Sequence, residues 1–211
     1  MTPGERPLFH FTHIKNLSPI IANGLRSDAA VRAMGSLQIE VGATQIKERR
    51  RRRSVPVGPG GCVGDYVPFY FATRSPMLLT LQSGNVPAYQ EGQGSLIYSV
   101  SDPDHLEANA CELVITDRNA ALGHALFYDG LGHLDDAIDW ALMNAVMWNN
   151  TPNEPDRMER RMAELLVHHR VPFAAIRHIG VLTAARRDEV LEAMASVAEP
   201  PRVTVRPRWY Y

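Results

Sequence analysis

Short β-rich runs and helical stripes follow one another along this chain without a repeating strand–helix rhythm, and that irregularity is what most restricts its fold. A doubly wound parallel sheet needs a crossover helix after nearly every strand. Here residues 8–11 (LFHF) alternate like a short strand, and Leu17, Ile20 and Ile21 mark a helical face that Gly24 can cap. Residues 36–53 read as helical, with Leu37, Val41 and Ile46 leading into five arginines at 49–53. Two prolines and four glycines at 55–64 then make a loop. The aromatic run YVPFYFA at 66–72 reads as a buried strand. A helix with proline in its first turn follows at 76–81, with an end near Gly84. Strands are expected at 96–100 and 112–116, around a short acidic helix after Ser101, and a polar loop at 117–129. Leu134, Ile138, Leu142, Val146 and Trp148 recur near helical spacing, which predicts a core-facing helix through 133–149. A strand at 176–182, a helix at 184–195 and a closing strand at 203–205 complete the reading. The pattern favours α+β with a mixed or split sheet.

Periodicity leaves residues 160–169 open, because Met162, Leu165 and Leu166 fit a helix while ELLV at 164–167 fits a strand equally well. With 211 residues, 45% of them apolar and 21% charged, one domain over 1–211 is expected. No stretch approaches the roughly 18–20 apolar residues of a spanning helix, and MTPGERPLFH lacks the apolar core of a secretory signal, so a soluble cytoplasmic protein without membrane association is expected. Cys62 and Cys111 are too few for a disulfide framework.

The formal charge of -1 conceals a bias. Arginine supplies 20 of the 22 basic residues, and arginine forks suit phosphate. The first 100 residues carry 11 basic and 6 acidic groups, residues 101–164 carry 4 and 13, and residues 165–211 carry 7 and 4. Such a distribution can polarise a surface toward polyanions, although overall neutrality argues against a protein that merely coats nucleic acid.

Several familiar chemistries are unsupported. The glycine loop at 58–64 puts Val63 where the third glycine of GxGxxG belongs, and it precedes a strand where that fingerprint opens a helix. GxxxxGK[ST], GxSxG and HExxH are absent, and the pairs His10/His13 and His168/His169 have no accompanying ligand set, so no metal is expected. Four features remain. HFTH at 10–13 ends a strand beside a helix start. Five consecutive arginines crowd a helix end and gain if an anion neutralises them. Phe69-Tyr70-Phe71 followed by Arg74 brings aromatic faces near a guanidinium. Glu164 stands among Met162, Ala163, Leu165, Leu166 and Val167, where a carboxylate is costly unless paired or used.

These features fall within six ordered blocks: HFTHIKNLSPII at 10–21, IKERR at 46–50, DYVPFYFATRSPML at 65–78, TDRNA at 116–120, RRMAELLV at 160–167 and WYY at 209–211. In them the chain resembles, over nearly its whole length, the DarT family. These are the toxins of DarTG toxin–antitoxin systems, NAD-dependent ADP-ribosyltransferases that modify bases in single-stranded DNA. The resemblance implies the ADP-ribosyltransferase fold, a split mixed β-sheet around a central NAD cleft, with 164–167 as a strand. It departs at Leu165, where Phe or Ile is expected, and in the length of the basic block.

Carried across block by block, Glu164 matches the family's catalytic glutamate and Arg50 its catalytic arginine, with Arg49 and Arg51 the alternatives within the run and otherwise substrate contacts. His10, Thr12 and Asn16 match the first NAD-binding block, and Tyr70 and Arg74 the second. Asn119 matches the loop facing the target nucleotide, with Met77 and Trp148 shaping that side. The resemblance further implies thymine as acceptor, guanine being the next choice, and a macrodomain antitoxin that reverses the mark. Two other readings stay open: a transferase acting on RNA, protein or a small molecule, and a catalytically silent single-strand-binding module.

Overall fold

A computed structural model describes residues 6–211. The chain runs β1 (Leu8–His13), α1 (Leu17–Asn23), β2 (Leu25–Arg26), α2 (Asp28–Met34), α3 (Thr44–Arg52), β3 (Tyr66–Tyr70), α4 (Pro76–Gln82), β4 (Leu96–Ser101) and α5 (Pro103–Ala108). It continues through β5 (Leu113–Thr116), β6 (Phe127–Asp129), α6 (Leu134–Ala137), α7 (Trp140–Asn144), α8 (Arg157–Arg160) and β7 (Glu164–His168). Last come β8 (Arg170–Val171), β9 (His178–Val181), α9 (Ala184–Ala193) and β10 (Arg202–Val205). Among the described residues no helix is long and apolar enough to cross a membrane.

Eight strands form one sheet in the order β10-β9-β4-β1-β3-β7-β5-β6, antiparallel throughout except for the parallel β9–β10 pair. It is a mixed sheet, and it is split. β1 pairs with β4 from Leu8↔Ser101 to His13↔Leu96, and β3 with β7 from Tyr66↔His168 to Tyr70↔Glu164, yet β1 and β3 meet only at Phe9↔Tyr70. Pro68 lies at the gap. A proline offers no N–H to a ladder and is tolerated at an edge, and its carbonyl accepts instead from the His10 ring at 2.8 Å. The two half-sheets diverge from this point and open a cleft.

Both faces of the central strands are covered, which is why they read as nearly unbroken apolar runs. On one face Leu8, Phe69, Leu165 and Val167 pack with Leu17 of α1 and Val190 of α9. On the other, Phe9, Phe11 and Tyr98 pack with Leu78 of α4 and with Tyr210. Leu165, Leu166 and Val167 are fully buried, each worth about 1.5–3 kcal/mol relative to exposure. Gly180 gives Trp209 room to lie flat against β9, so the terminal WYY block is packing: the Tyr210 hydroxyl donates toward the carbonyls of Leu96 and Gly180.

Gly24 ends α1 at φ 78° and Pro76 sits in the first turn of α4, both as the sequence suggests; Ser75 caps α4 by accepting from the Leu78 amide. Elsewhere the structure differs. The helix expected over 36–53 spans only Thr44–Arg52, because the Asn16 side chain captures backbone groups of Gln38 and Ile39. The helix expected over 133–149 is two short ones: Ile138 is extended, and Asp139 turns its carboxylate to the Leu142 amide and starts α7 afresh. Val146, assigned to the core stripe, is 84% exposed. The loop over 117–129 contains β6, and α2 and the small β2–β8 sheet have no counterpart in the sequence reading. Residues 160–169 resolve as a turn into β7, where β3 and β5 supply the ladder on both sides.

Candidate active site

Consecutive residues on a helix point about 100° apart, so α3 distributes its arginines around its axis. Arg51 turns to Asp28, with Nε at 3.0 Å from the carboxylate, and to Glu48. Arg52 reaches back to Glu48 from an exposed position, and Arg53 lies over the Phe127 ring. Arg50 reaches the centre of the sheet, at β7. Its Nη1 donates to Glu164 Oε1 at 3.0 Å and Oε2 at 2.8 Å. Asp28 also holds Lys47 at 2.6 Å and so anchors two side chains of α3 on one carboxylate.

Glu164 is the first residue of β7, between Tyr70 of β3 and Thr116 of β5, and has no exposed surface. Its backbone amide donates to the Thr116 hydroxyl at 3.3 Å. Burial pushes the Glu164 carboxyl above the usual carboxylate range, while the Arg50 guanidinium and the Ala120 amide pull it back. Burial disfavours the Arg50 charge too, but Glu164 outweighs that and holds the guanidinium protonated, its pKa above the ordinary value. Arg50 Nη2 is buried with no hydrogen-bond partner among the described residues. A buried donor left open at a cleft floor is expensive unless something else accepts from it.

The cleft above this pair is about 600 Å³, within the range of about 300–1,000 Å³ typical of small-molecule sites. His10, Thr12, Asn16, Arg49, Arg50 and Tyr70 line it, with Met77 and Asn119 farther along. His10 donates from Nδ1 to the Pro68 carbonyl, which leaves Nε2 as an acceptor. Burial, with Arg50 and Lys47 nearby, lowers its pKa to about 4, so the ring is neutral at pH 7. Tyr70 forms part of the floor, stacked on Phe11 and with its hydroxyl donating toward Met77 sulfur; burial raises its pKa. Asn119 accepts from the Ala121 amide at 2.9 Å and so shapes its own turn. Asn16 commits its whole amide, donating to Thr12 Oγ1 and the Ile39 carbonyl and accepting from the amides of Gln38 and Ile39. It pins residues 38–39 to the end of β1.

Four residues singled out from the sequence lie outside the cleft lining, the first being Glu164 itself, fully buried behind Arg50. Arg51 is bound to Asp28, as described. Arg74 donates from Nε to the Tyr210 carbonyl at 2.8 Å and lies over the Tyr211 ring. Trp148 is buried. The sequence reading missed Asn150, Met158 and Met162, which complete the far wall. Met162 was read only as part of an apolar face, and nothing local marked Asn150 or Met158 as cleft residues.

A family model described as DarT, an ssDNA thymidine ADP-ribosyltransferase, matches residues 9–211. The chain belongs to the DarT family. A DNA ADP-ribosyl transferase of Thermus sp. (strain 2.9) is 37% identical over 211 residues, which cover 99% of this chain and 98% of the relative. That of Mycobacterium tuberculosis (strain ATCC 25618 / H37Rv) is 32% identical over 214 residues, covering 99% and 90%. Among solved structures, Thermus sp. 2.9 DarT in complex with ADP-ribosylated ssDNA superposes with a TM-score of 0.90 at 36% identity, over 99% of this chain and 98% of that one. The same protein in complex with NAD+ gives 0.87 at 34%, over 100% and 99%. Membership makes this chain an NAD-dependent DNA ADP-ribosyltransferase with the α+β fold that the sequence implied.

Proposed function

We propose that the chain transfers ADP-ribose from NAD to thymine in single-stranded DNA, with Glu164 and Arg50 at the reacting centre. The observation that carries this reading is the buried Arg50–Glu164 pair beneath a cleft whose rim offers His10 Nε2, Thr12 and an unpartnered arginine nitrogen. In the reaction the bond between nicotinamide and ribose breaks, its electron pair leaving with nicotinamide. A base nitrogen bonds to the anomeric carbon and loses its proton. Positive charge builds on the ribose in between, and an anion held beneath it stabilises that charge more in the transition state than in the ground state.

Glu164 is that anion. Arg50 Nη1 gives each oxygen of that carboxylate one hydrogen bond, and a carboxylate oxygen can accept a second, here from a ribose hydroxyl. The unpartnered Nη2 of Arg50 is the donor that binds pyrophosphate or stabilises the base as its proton leaves. His10 Nε2 accepts a ribose or amide donor, Thr12 adds a hydroxyl, and Tyr70 offers a ring face for nicotinamide. Asn119 and Met77 meet the acceptor base, and exposed Arg49 meets phosphate. Asn16, Arg51, Arg74 and Trp148 act through the loops they hold. Single-stranded DNA suits the site because a paired base hides its Watson–Crick edge, and extruding one costs about a few kcal/mol.

We further propose that residues 1–211 work as one domain, since strands drawn from residue 8 to residue 205 form one sheet. The DarTG resemblance supports a macrodomain antitoxin as partner and the cytoplasm, where the DNA is, as the place of action. Mass spectrometry of single-stranded oligonucleotides with one thymine or none, after incubation with protein and NAD, tests the central reading. A gain of one ADP-ribose that needs thymine and is lost in Glu164→Ala is expected; a gain on thymine-free DNA, or none on any DNA, overturns it.

A further inference from the structure

Arg161, three residues before Glu164, is 5% exposed, and no carboxylate pairs with it among the described residues. Its Nη1 donates to three carbonyls in the last turn of α7 and its cap: Leu142 at 2.5 Å, Met143 at 2.8 Å and Ala145 at 3.3 Å. These groups include the carbonyls that the end of α7 leaves without helical partners, and a cation there is favourable. A buried guanidinium answered only by neutral carbonyls is costly to retain for packing alone.

What Arg161 holds is the base of the 145–150 turn. The same turn is tied by Arg157, whose Nη2 donates to the Met147 carbonyl at 3.0 Å, and by Asn150, whose Oδ1 accepts from the Met158 amide at 2.8 Å. Asn150 of this turn lines the cleft, as do Met158 and Met162, in company with Asn119, His10, Asn16 and Arg50. The turn therefore contributes to the wall through Asn150 and, by the Asn150–Met158 bond, supports Met158.

We infer that Arg161 is a positioning residue for the acceptor: a buried guanidinium that fixes the 142–150 segment to the start of β7 and so sets the distance between the DNA-side wall and Glu164. The inference rests on the transferase reading for which side receives DNA, whereas the clamp itself rests only on the hydrogen bonds above. All three bonds come from Nη1 at the tip of the guanidinium, and a lysine side chain ends one atom short of that position, so Arg161→Lys keeps the charge and withdraws it from the carbonyls.

Two measurements on the full chain test it, with Arg161→Lys as the main variant and Arg161→Met as the second. Hydrogen exchange is expected to quicken at amides of 142–150 while β1 and α3 stay protected. Steady-state modification of a thymine-containing oligonucleotide is expected to show the DNA KM raised about tenfold or more, with NAD affinity by calorimetry within about threefold of wild type. Unchanged exchange in 142–150 overturns the clamp. Faster exchange with an unchanged DNA KM, or with equal losses toward NAD and DNA, overturns the acceptor role. If Arg161→Met fails to fold, Arg161→Lys carries both readouts. Wild-type protein that modifies no DNA refutes the acceptor role together with the transferase reading, while exchange still decides the clamp.

Discussion

Replacing Glu164 with leucine removes one half of an ion pair whose carboxylate has no exposed surface and leaves the Arg50 guanidinium, 11% exposed, without its counter-charge. Breaking a buried pair in this way costs about 3–5 kcal/mol. Arg50 borders the cleft, where water can partly solvate the abandoned charge, so the lower figure of about 3 kcal/mol is the better expectation. In a chain of this size 1 kcal/mol moves Tm by roughly 2–4 °C, which puts Glu164→Leu roughly 6–12 °C below wild type. The double variant Arg50→Met, Glu164→Leu removes both charges and fills the site with apolar volume, and it is expected to recover most of that loss. Activity does not recover with it, since neither the anion nor the guanidinium remains to meet the substrate. Thermal unfolding of the four proteins, with oligonucleotide modification measured in parallel, separates the structural from the catalytic role. A single variant within about 1 kcal/mol of wild type, or a double variant as unstable as the sum of the singles, would refute the buried-pair argument.

His10 titrates at about 4 in the folded chain against 6.5 unfolded, so between those values the unfolded state binds more protons and stability falls as pH falls. The full difference is about 3 kcal/mol, an upper bound because the ring keeps some surface at the cleft; Tm measured from pH 7 to pH 4 should drop more steeply in wild type than in His10→Asn, and parallel curves would contradict the assignment. Asn16→Leu leaves backbone groups of Gln38 and Ile39 without partners. Weaker NAD binding by about tenfold is expected, with the DNA KM less affected, and an unchanged calorimetric affinity would show that the 38–39 segment does not serve NAD. Gly180→Ala places a methyl group inside the Trp209 ring, and overpacking of about 1–3 kcal/mol should appear as a lowered Tm with the activity per folded molecule retained.

Much of the site was readable locally. A carboxylate inside MAELLV must be paired or used, and an arginine run at a helix end must find anions, so Glu164 and the 49–53 block identified themselves as polar groups in costly places. The six ordered blocks carried the family and the fold. Local signals also set the cap at Gly24 and the start of α4 at Pro76, because a tolerated positive φ and a ring-fixed φ are properties of single residues.

Other features depended on partners far along the chain. Which arginine meets Glu164 follows from where α3 begins and how Asp28 orients it, and the pair itself joins residues 114 positions apart. Residues 36–43 fail to become helix because Asn16 takes their backbone groups, and 160–169 become strand because β3 and β5 offer ladders on both sides. Arg161 carried no signal of its own in the sequence, and only the carbonyls of α7 around it single it out. The sequence by itself determined the elements' periodicities, their caps and the residues too polar for their surroundings, all properties of groups within a few bonds of one another. Tertiary structure alone decided which charges pair, which backbone groups are captured and where the sheet splits, because each requires the desolvation and geometry that arise only when distant segments pack together.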